Sequence, residues 1–190
     1  MVLGDNIFYG NGLENILHEA VENAYEGKAT IFGYQVIDPE RFGIMEIDDN
    51  LNVLSVEEKP EFPKSDYAIT GLYFYPSGVS KKAGEVKPSA RGELEITTLN
   101  DMYLQEGVLK ACLLGDGYTW FDTGTDDSLI DAACMVRTIQ NNKDRVICCP
   151  EAIAYCNKWL SDEELEFRAN LMSKNKYGKY LKKVLEKGRK

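Results

Sequence analysis

Hydrophobic residues along this chain change their period several times, and that alternation limits the fold more than any other feature of the sequence. Leu13, Ile16, Leu17, Ala20, Val21 and Ala24 recur at offsets of three and four, which places all six on one helix face. Gly27 supplies a C-terminal stop. Residues 30–36 are dense in β-branched and aromatic side chains and read as a strand. Residues 44–47 and 51–56 flank Asp48-Asp49-Asn50, a hairpin signature. Residues 68–75 form a further strand, closed by Pro76-Ser77-Gly78. Residues 93–103 read as a helix, 108–114 as a strand, and Leu129, Ala133, Val136 and Ile139 as one face of another helix. Ser161 and Glu164 predict a capping box, and Tyr177, Tyr180, Leu181, Val184 and Leu185 a final amphipathic helix. Interleaved strands and helices, with one hairpin and at least one crossover, predict an α/β fold whose mixed sheet is flanked by helices.

The 190 residues suit one domain with a core of ordinary size. Asp and Glu number 31 against 22 Lys and Arg, and the resulting charge of −9 argues against a nucleic-acid partner, which needs a basic footprint. No apolar run approaches the ~20 residues of a membrane span, and no signal-peptide pattern opens the chain. The five cysteines, Cys112, Cys134, Cys148, Cys149 and Cys156, are odd in number, and two are adjacent. Together with a single histidine, His18, they predict reduced, mostly buried thiols, no zinc site and a cytoplasmic protein.

Four stretches carry candidate chemistry. Val2-Leu3-Gly4-Asp5 reads as the stub of a buried strand that delivers a carboxylate at its C-terminal end, where α/β sheets bind ligands. Asp5 there suits Mg²⁺, although a turn aspartate that receives backbone N–H bonds has the same signature. Trp120-Phe121-Asp122-Thr123-Gly124-Thr125 repeats the pattern, so Asp122 is either a second metal ligand or a helix cap. Val56-Glu57-Glu58-Lys59-Pro60 places a carboxylate beside an ammonium, a pair able to read sugar hydroxyls and a phosphate together, or simply a solvated strand end. Arg91-Gly92-Glu93-Leu94-Glu95-Ile96-Thr97 puts Arg91 at an expected helix start, where it could hold an anion with Glu93 beside it, or where an acidic first turn simply offsets the helix dipole.

In this order the stretches resemble the sugar-1-phosphate nucleotidylyltransferases, specifically the glucose-1-phosphate thymidylyltransferases. The resemblance also includes Asp38-Pro39-Glu40-Arg41-Phe42-Gly43 and Ala68-Ile69-Thr70-Gly71-Leu72-Tyr73-Phe74-Tyr75, and it runs along essentially the whole chain. It implies a Rossmann-like nucleotide-diphospho-sugar transferase fold, incomplete here. Residues 1–190 would be its sugar-phosphate- and metal-binding C-terminal portion, with C-terminal helices from about 161. The resemblance makes Asp5 and Asp122 the Mg²⁺ ligands, Glu58 the partner of the glucose hydroxyls and Lys59 that of the phosphate. Gly43, Ile69, Tyr73, Arg91, Glu93 and Trp120 become further pocket residues. The implied reaction converts dTTP and glucose 1-phosphate to dTDP-glucose and pyrophosphate, feeding dTDP-rhamnose biosynthesis, in a homo-oligomer that is tetrameric in the family.

The family's glycine-rich triphosphate loop has no counterpart in these residues, so the chain is expected to be truncated and inactive alone. A non-catalytic sugar-phosphate-binding fragment and a related uridylyltransferase are the alternatives. Asp116 and Glu14 stand where the family's secondary nucleotide site would have basic residues, which argues against feedback inhibition there.

Overall fold

The computed structural model describes residues 1–143 and 145–189, arranged as two compact units, Met1–Leu129 and Ile130–Lys190. The first unit holds a five-stranded sheet with the spatial order β4-β3-β5-β2-β6. Its strands are β2 (Ala29–Gln35), β3 (Gly43–Ile47), β4 (Val53–Glu58), β5 (Tyr67–Phe74) and β6 (Leu109–Leu114). β3 and β4 form the hairpin expected around Asp48, β3 and β2 both run antiparallel to β5, and β2 pairs with β6 in parallel. The sheet is therefore mixed, as the alternating pattern implied.

Helices cover both faces of this sheet. Ile16, Leu17 and Ala20 of α1 (Leu13–Tyr25) pack against Phe32, Leu72, Phe74 and Leu114. Leu99 and Tyr103 of α3 (Ile96–Gln105) pack on the opposite face against Ile31, Met45, Ile69 and Tyr73. A central strand buried on both sides carries apolar residues at consecutive positions instead of alternating ones. That is why residues 29–33 of β2 are all buried. The short α2 (Val79–Ala83) links β5 toward α3.

A separate two-stranded ladder pairs β1 (Asn6–Gly10) antiparallel with β7 (Tyr118–Asp122), Asn6 lying opposite Asp122. This corrects the expectation of a buried strand that ends at Asp5. Residues 1–3 do pair antiparallel with β5, Leu3 N donating to Gly71 O at 2.8 Å and Tyr73 N to Met1 O at 2.9 Å on either side of Val2 and Leu72, but Val2 and Leu3 are exposed, and the strand that pairs with β7 begins after Asp5. The apolar residues that fix the strand are Ile7, Phe8 and Tyr9, and their partners lie more than a hundred residues away.

The second unit is helical. The long α4 (Asp126–Lys143) leads to α5 (Pro150–Cys156), α6 (Asp162–Leu171) and α7 (Lys176–Lys187). Its core gathers Cys149, Tyr155, Leu165, Ala169 and Leu181. The capping box at α6 forms as expected: Ser161 Oγ accepts from Glu164 N at 3.2 Å, and Glu164 Oε2 accepts from Ser161 N at 2.7 Å. All five cysteines are free, but the expectation that most are buried does not hold. Cys149 is buried and Cys112 half-buried, while Cys134 on α4, Cys156 at the end of α5 and Cys148 in the turn between those helices are exposed. Burial pushes the Cys112 thiol up to about 11, with Glu19 adding to the effect. Among the described residues no helix is long and apolar enough to cross a membrane.

Candidate functional site

The hairpin β3–β4, strand β5 and the β1–β7 ladder converge on a cavity of about 200 Å³ in the first unit. Glu58 and Lys59 enter it from the end of β4, Gly43 from the start of β3, and Ile69 and Tyr73 from one face of β5. Trp120 and Asp122 enter from β7. Seven of the residues singled out in the sequence thus share one concavity. Larger recesses exist elsewhere, one of about 580 Å³ beside Tyr34 and Asp116 and one of about 350 Å³ in the second unit. Chemistry, not volume, selects the smaller one, since of these three it is the one that joins two carboxylates, Glu58 and Asp122, to the Lys59 ammonium and aromatic walls.

The Glu58 carboxylate in the cavity is held in place from two sides. Glu58 Oε2 accepts a short hydrogen bond from Thr97 Oγ1 at the start of α3, and the Arg91 guanidinium lies 3.9 Å from Glu58 Oε1. Arg91 is also 3.2 Å from Glu93 Oε2 and 3.8 Å from Glu95 Oε1. It braces Glu58 from outside, and neither Arg91 nor Glu93 lines the cavity itself. Arg91 does not start a helix, contrary to the sequence expectation: α3 begins at Ile96 after Glu95. Gly92, at φ +81°, turns the chain instead. Lys59 sits at φ +42°, with its N–H donating to Phe42 O at 3.0 Å. A non-glycine residue in that region marks local strain of the kind that gathers at functional sites. Burial, with the charge of Glu58 added, pushes the Tyr73 phenol far up, so it stays neutral in the cavity wall.

Asn6 is the organising residue that the sequence reading did not single out. Its Oδ1 accepts from Trp120 Nε1 at 2.7 Å and from Gly71 N at 2.8 Å, tying β1, β7 and β5 together. A Cβ at Gly71 would lie 2.6 Å from Asn6 Cγ, so this docking requires glycine there. At Gly43 a Cβ would come within 3.0 Å of Thr97 Oγ1 and 3.1 Å of Glu58 Oε2, in the space beside the carboxylate. Thr97 and Asn6 both lay inside matched stretches, but contacts across 39 and 114 residues leave no local signature.

The two aspartates fall on neighbouring positions of the ladder. Asn6 opposes Asp122, and the Asp5 carbonyl accepts from both Thr123 N at 2.9 Å and Thr123 Oγ1 at 2.8 Å. Asp122 lines the cavity and Asp5 does not. Asp5 Oδ1 accepts from Asn6 Nδ2 and Asp122 Oδ1 from Gly124 N, which leaves one further oxygen on each carboxylate. Two carboxylates supplying hard oxygen, with water and phosphate filling the remaining positions, are a donor set that suits Mg²⁺. Among the described residues no group of three or more His, Cys, Asp or Glu assembles a metal cage. Lys59 and Asp122 also border an adjoining open recess of about 380 Å³ with Arg41 and Thr125, so they stand between two spaces.

Residues 1–139 match the sequence pattern of the family described as Nucleotidyl transferase. The chain belongs to that family. It is 52% identical to a glucose-1-phosphate thymidylyltransferase of Neisseria meningitidis over 98% of this chain and 64% of the relative. It is 46% identical to the enzyme of that name from Mycobacterium tuberculosis, again over 98% of this chain and 64% of the relative. It thus spans somewhat under two thirds of the length of these relatives. Among solved structures, a Bacillus anthracis protein described as a glucose-1-phosphate thymidylyltransferase, in complex with sucrose, superposes with a TM-score of 0.62 at 42% identity. The match covers 72% of this chain and 53% of that one. A UDP-glucose pyrophosphorylase with UDP-glucose gives 0.61 at 18% identity, over 72% of this chain and 55% of that one, which speaks to the fold alone. This nucleotidyl transferase chain therefore shares the nucleotide-diphospho-sugar transferase fold over about 72% of its length.

Proposed function

We propose that the first unit is the hexose-phosphate and metal side of a glucose-1-phosphate thymidylyltransferase. The observation that carries the reading is Glu58 and Lys59 side by side in one cavity with Trp120 and Asp122. The shared name of relatives at about half identity supports it. In this reading Glu58, oriented by Thr97 and braced by Arg91, accepts hydrogen bonds from sugar hydroxyls. The Lys59 ammonium pairs with the phosphate, and the Gly43 and Ile69 backbones with Tyr73 and Trp120 shape the walls. Asp5 and Asp122 hold Mg²⁺, which supplies charge neutralisation to the phosphates when bound. A sugar-phosphate oxygen attacks the α-phosphorus of dTTP, a P–O bond to pyrophosphate breaks, and no covalent enzyme intermediate forms. Catalysis is then positioning and charge stabilisation. Turnover needs a triphosphate cradle, and these residues contain no glycine-rich loop of that kind. In this reading the enzyme works in the cytoplasm as a homo-oligomer.

Calorimetry tests the sugar side directly. Lys59→Gln should weaken glucose 1-phosphate binding about tenfold or more, the scale of a lost charged hydrogen bond, and leave binding of glucose unchanged. Glu58→Gln should weaken both. Affinity unchanged in both variants would overturn the assignment. Adding a polypeptide that carries a glycine-rich triphosphate loop should restore dTTP-dependent pyrophosphate release, and its failure at every ratio would remove the catalytic part of the reading.

A further inference from the structure

Charge is distributed unevenly along this chain. From Ile130 onward there are 13 Lys and Arg against 8 Asp and Glu, although acids exceed bases 31 to 22 overall. Within that segment Arg145, Lys176, Lys179 and Lys183 line a single recess of about 350 Å³, beside Val146 and Tyr180. We propose that this recess binds a small, multiply charged phosphate compound such as a di- or triphosphate.

The arrangement is built by the fold. Lys176, Lys179 and Lys183 follow one another at offsets of three and four along α7 and so share a face. Asn175 fixes the start of that helix, its side chain accepting from Gly178 N at 2.9 Å. Arg145 arrives on the chain that follows α4, and Ile147 N donates to Gln140 Oε1 at 3.0 Å, pinning that chain back onto the helix. Among the described residues, Arg145, Lys176 and Lys179 make no ion pair. Like charges one helical turn apart repel, and a bound anion would relieve that repulsion. The guanidinium fork suits two oxygens of one phosphate, and the lysines add point charges for a second. The volume falls in the roughly 300–1,000 Å³ range of small-molecule sites. A concave recess on a chain of net charge −9 suits a compact anion and not a nucleic-acid backbone, which needs an extended basic stripe.

The test is calorimetry with pyrophosphate and tripolyphosphate at low salt. It uses the full chain carrying Lys59→Gln, so that the cavity of the first unit does not contribute. One molecule should bind per chain, and Arg145→Gln or Lys179→Gln should each weaken it at least about tenfold. Lys179→Arg should retain it, and circular dichroism should show all variants folded. Lys158→Gln, which alters a lysine outside the recess, should leave affinity unchanged. Loss of all binding in the Lys59→Gln background, or an equal effect of Lys158→Gln and Lys179→Gln, would overturn the proposal; the second result would mean diffuse attraction to a basic surface.

Discussion

Lys59 is held in a conformation that its own chemistry disfavours. Its φ of +42° lies where a Cβ costs roughly 1–2 kcal/mol, and the residue before a proline is pushed further toward extended backbone. The hairpin register, with Gly43 opposite Glu58, and the bond from Lys59 N to Phe42 O hold the residue there. Strain kept at this position makes sense if the ammonium must leave the strand and stand between the cavity and the adjoining recess. Lys59→Gly separates the two roles. Relief of strain is offset by the roughly 0.5–1 kcal/mol that glycine loses in chain entropy, so stability should be unchanged or rise by up to about 1.5 kcal/mol. Glucose 1-phosphate affinity should nevertheless fall as far as in Lys59→Gln. Urea denaturation read beside calorimetry decides this, and a clear loss of stability would show that the position carries no strain.

At the scale of elements, what the sequence revealed depended on how local the stabilising contacts are. The Asp48 hairpin and the Ser161 capping box were legible because every contact falls within a few residues. Strands β1 and β7 were not, since each is stabilised by a partner more than a hundred positions away. Helix α3 was placed early because Glu93 and Leu94 extend its pattern, while its true start is at Ile96. The same division holds at the site: Glu58-Lys59 was readable as a dipeptide, whereas Asn6, which ties three strands together, has no pattern around it. The hairpin also makes a pH prediction. Asp48 accepts from Asn52 Nδ2 at 2.9 Å and from Asn52 N and Asn50 N, each at 2.8 Å. The Asn52 side chain first, then these backbone groups, hold its carboxyl below the usual 3.8. A carboxyl depressed in the folded state contributes stability that is fully present above its unfolded value and is lost as pH falls through the folded one. Hydrogen-exchange protection at Leu51 N, which donates to Asp48 O, should therefore hold down to about pH 4 and decline below it. Asp48→Asn should flatten that acid decline, and an unchanged pH profile would place the turn's stability elsewhere.

Across the whole molecule, the two units have separate cores of unequal size, and the smaller one is the more vulnerable. A domain of about sixty residues buries only about 60% of the surface its unfolded chain exposes, which leaves a stability of roughly 3–5 kcal/mol. Leu165 and Leu181 are fully buried in the core of the second unit, together with Tyr155 and Ala169. Leu165→Ala removes transfer energy and leaves a cavity, at a cost of about 2–5 kcal/mol, comparable with everything that unit has. The first unit's core around Ile31, Met45 and Leu99 includes none of these residues. Hydrogen exchange followed by mass spectrometry should thus show protection collapsing in α6 and α7 while β2 and β5 keep theirs. Pyrophosphate binding at Arg145 and Lys179 should disappear with the second unit, and glucose 1-phosphate binding at Glu58 and Lys59 should persist. If β2 and β5 lose protection at the same denaturant concentration as α6, the chain unfolds as one cooperative body, and the two sites would be energetically linked through it.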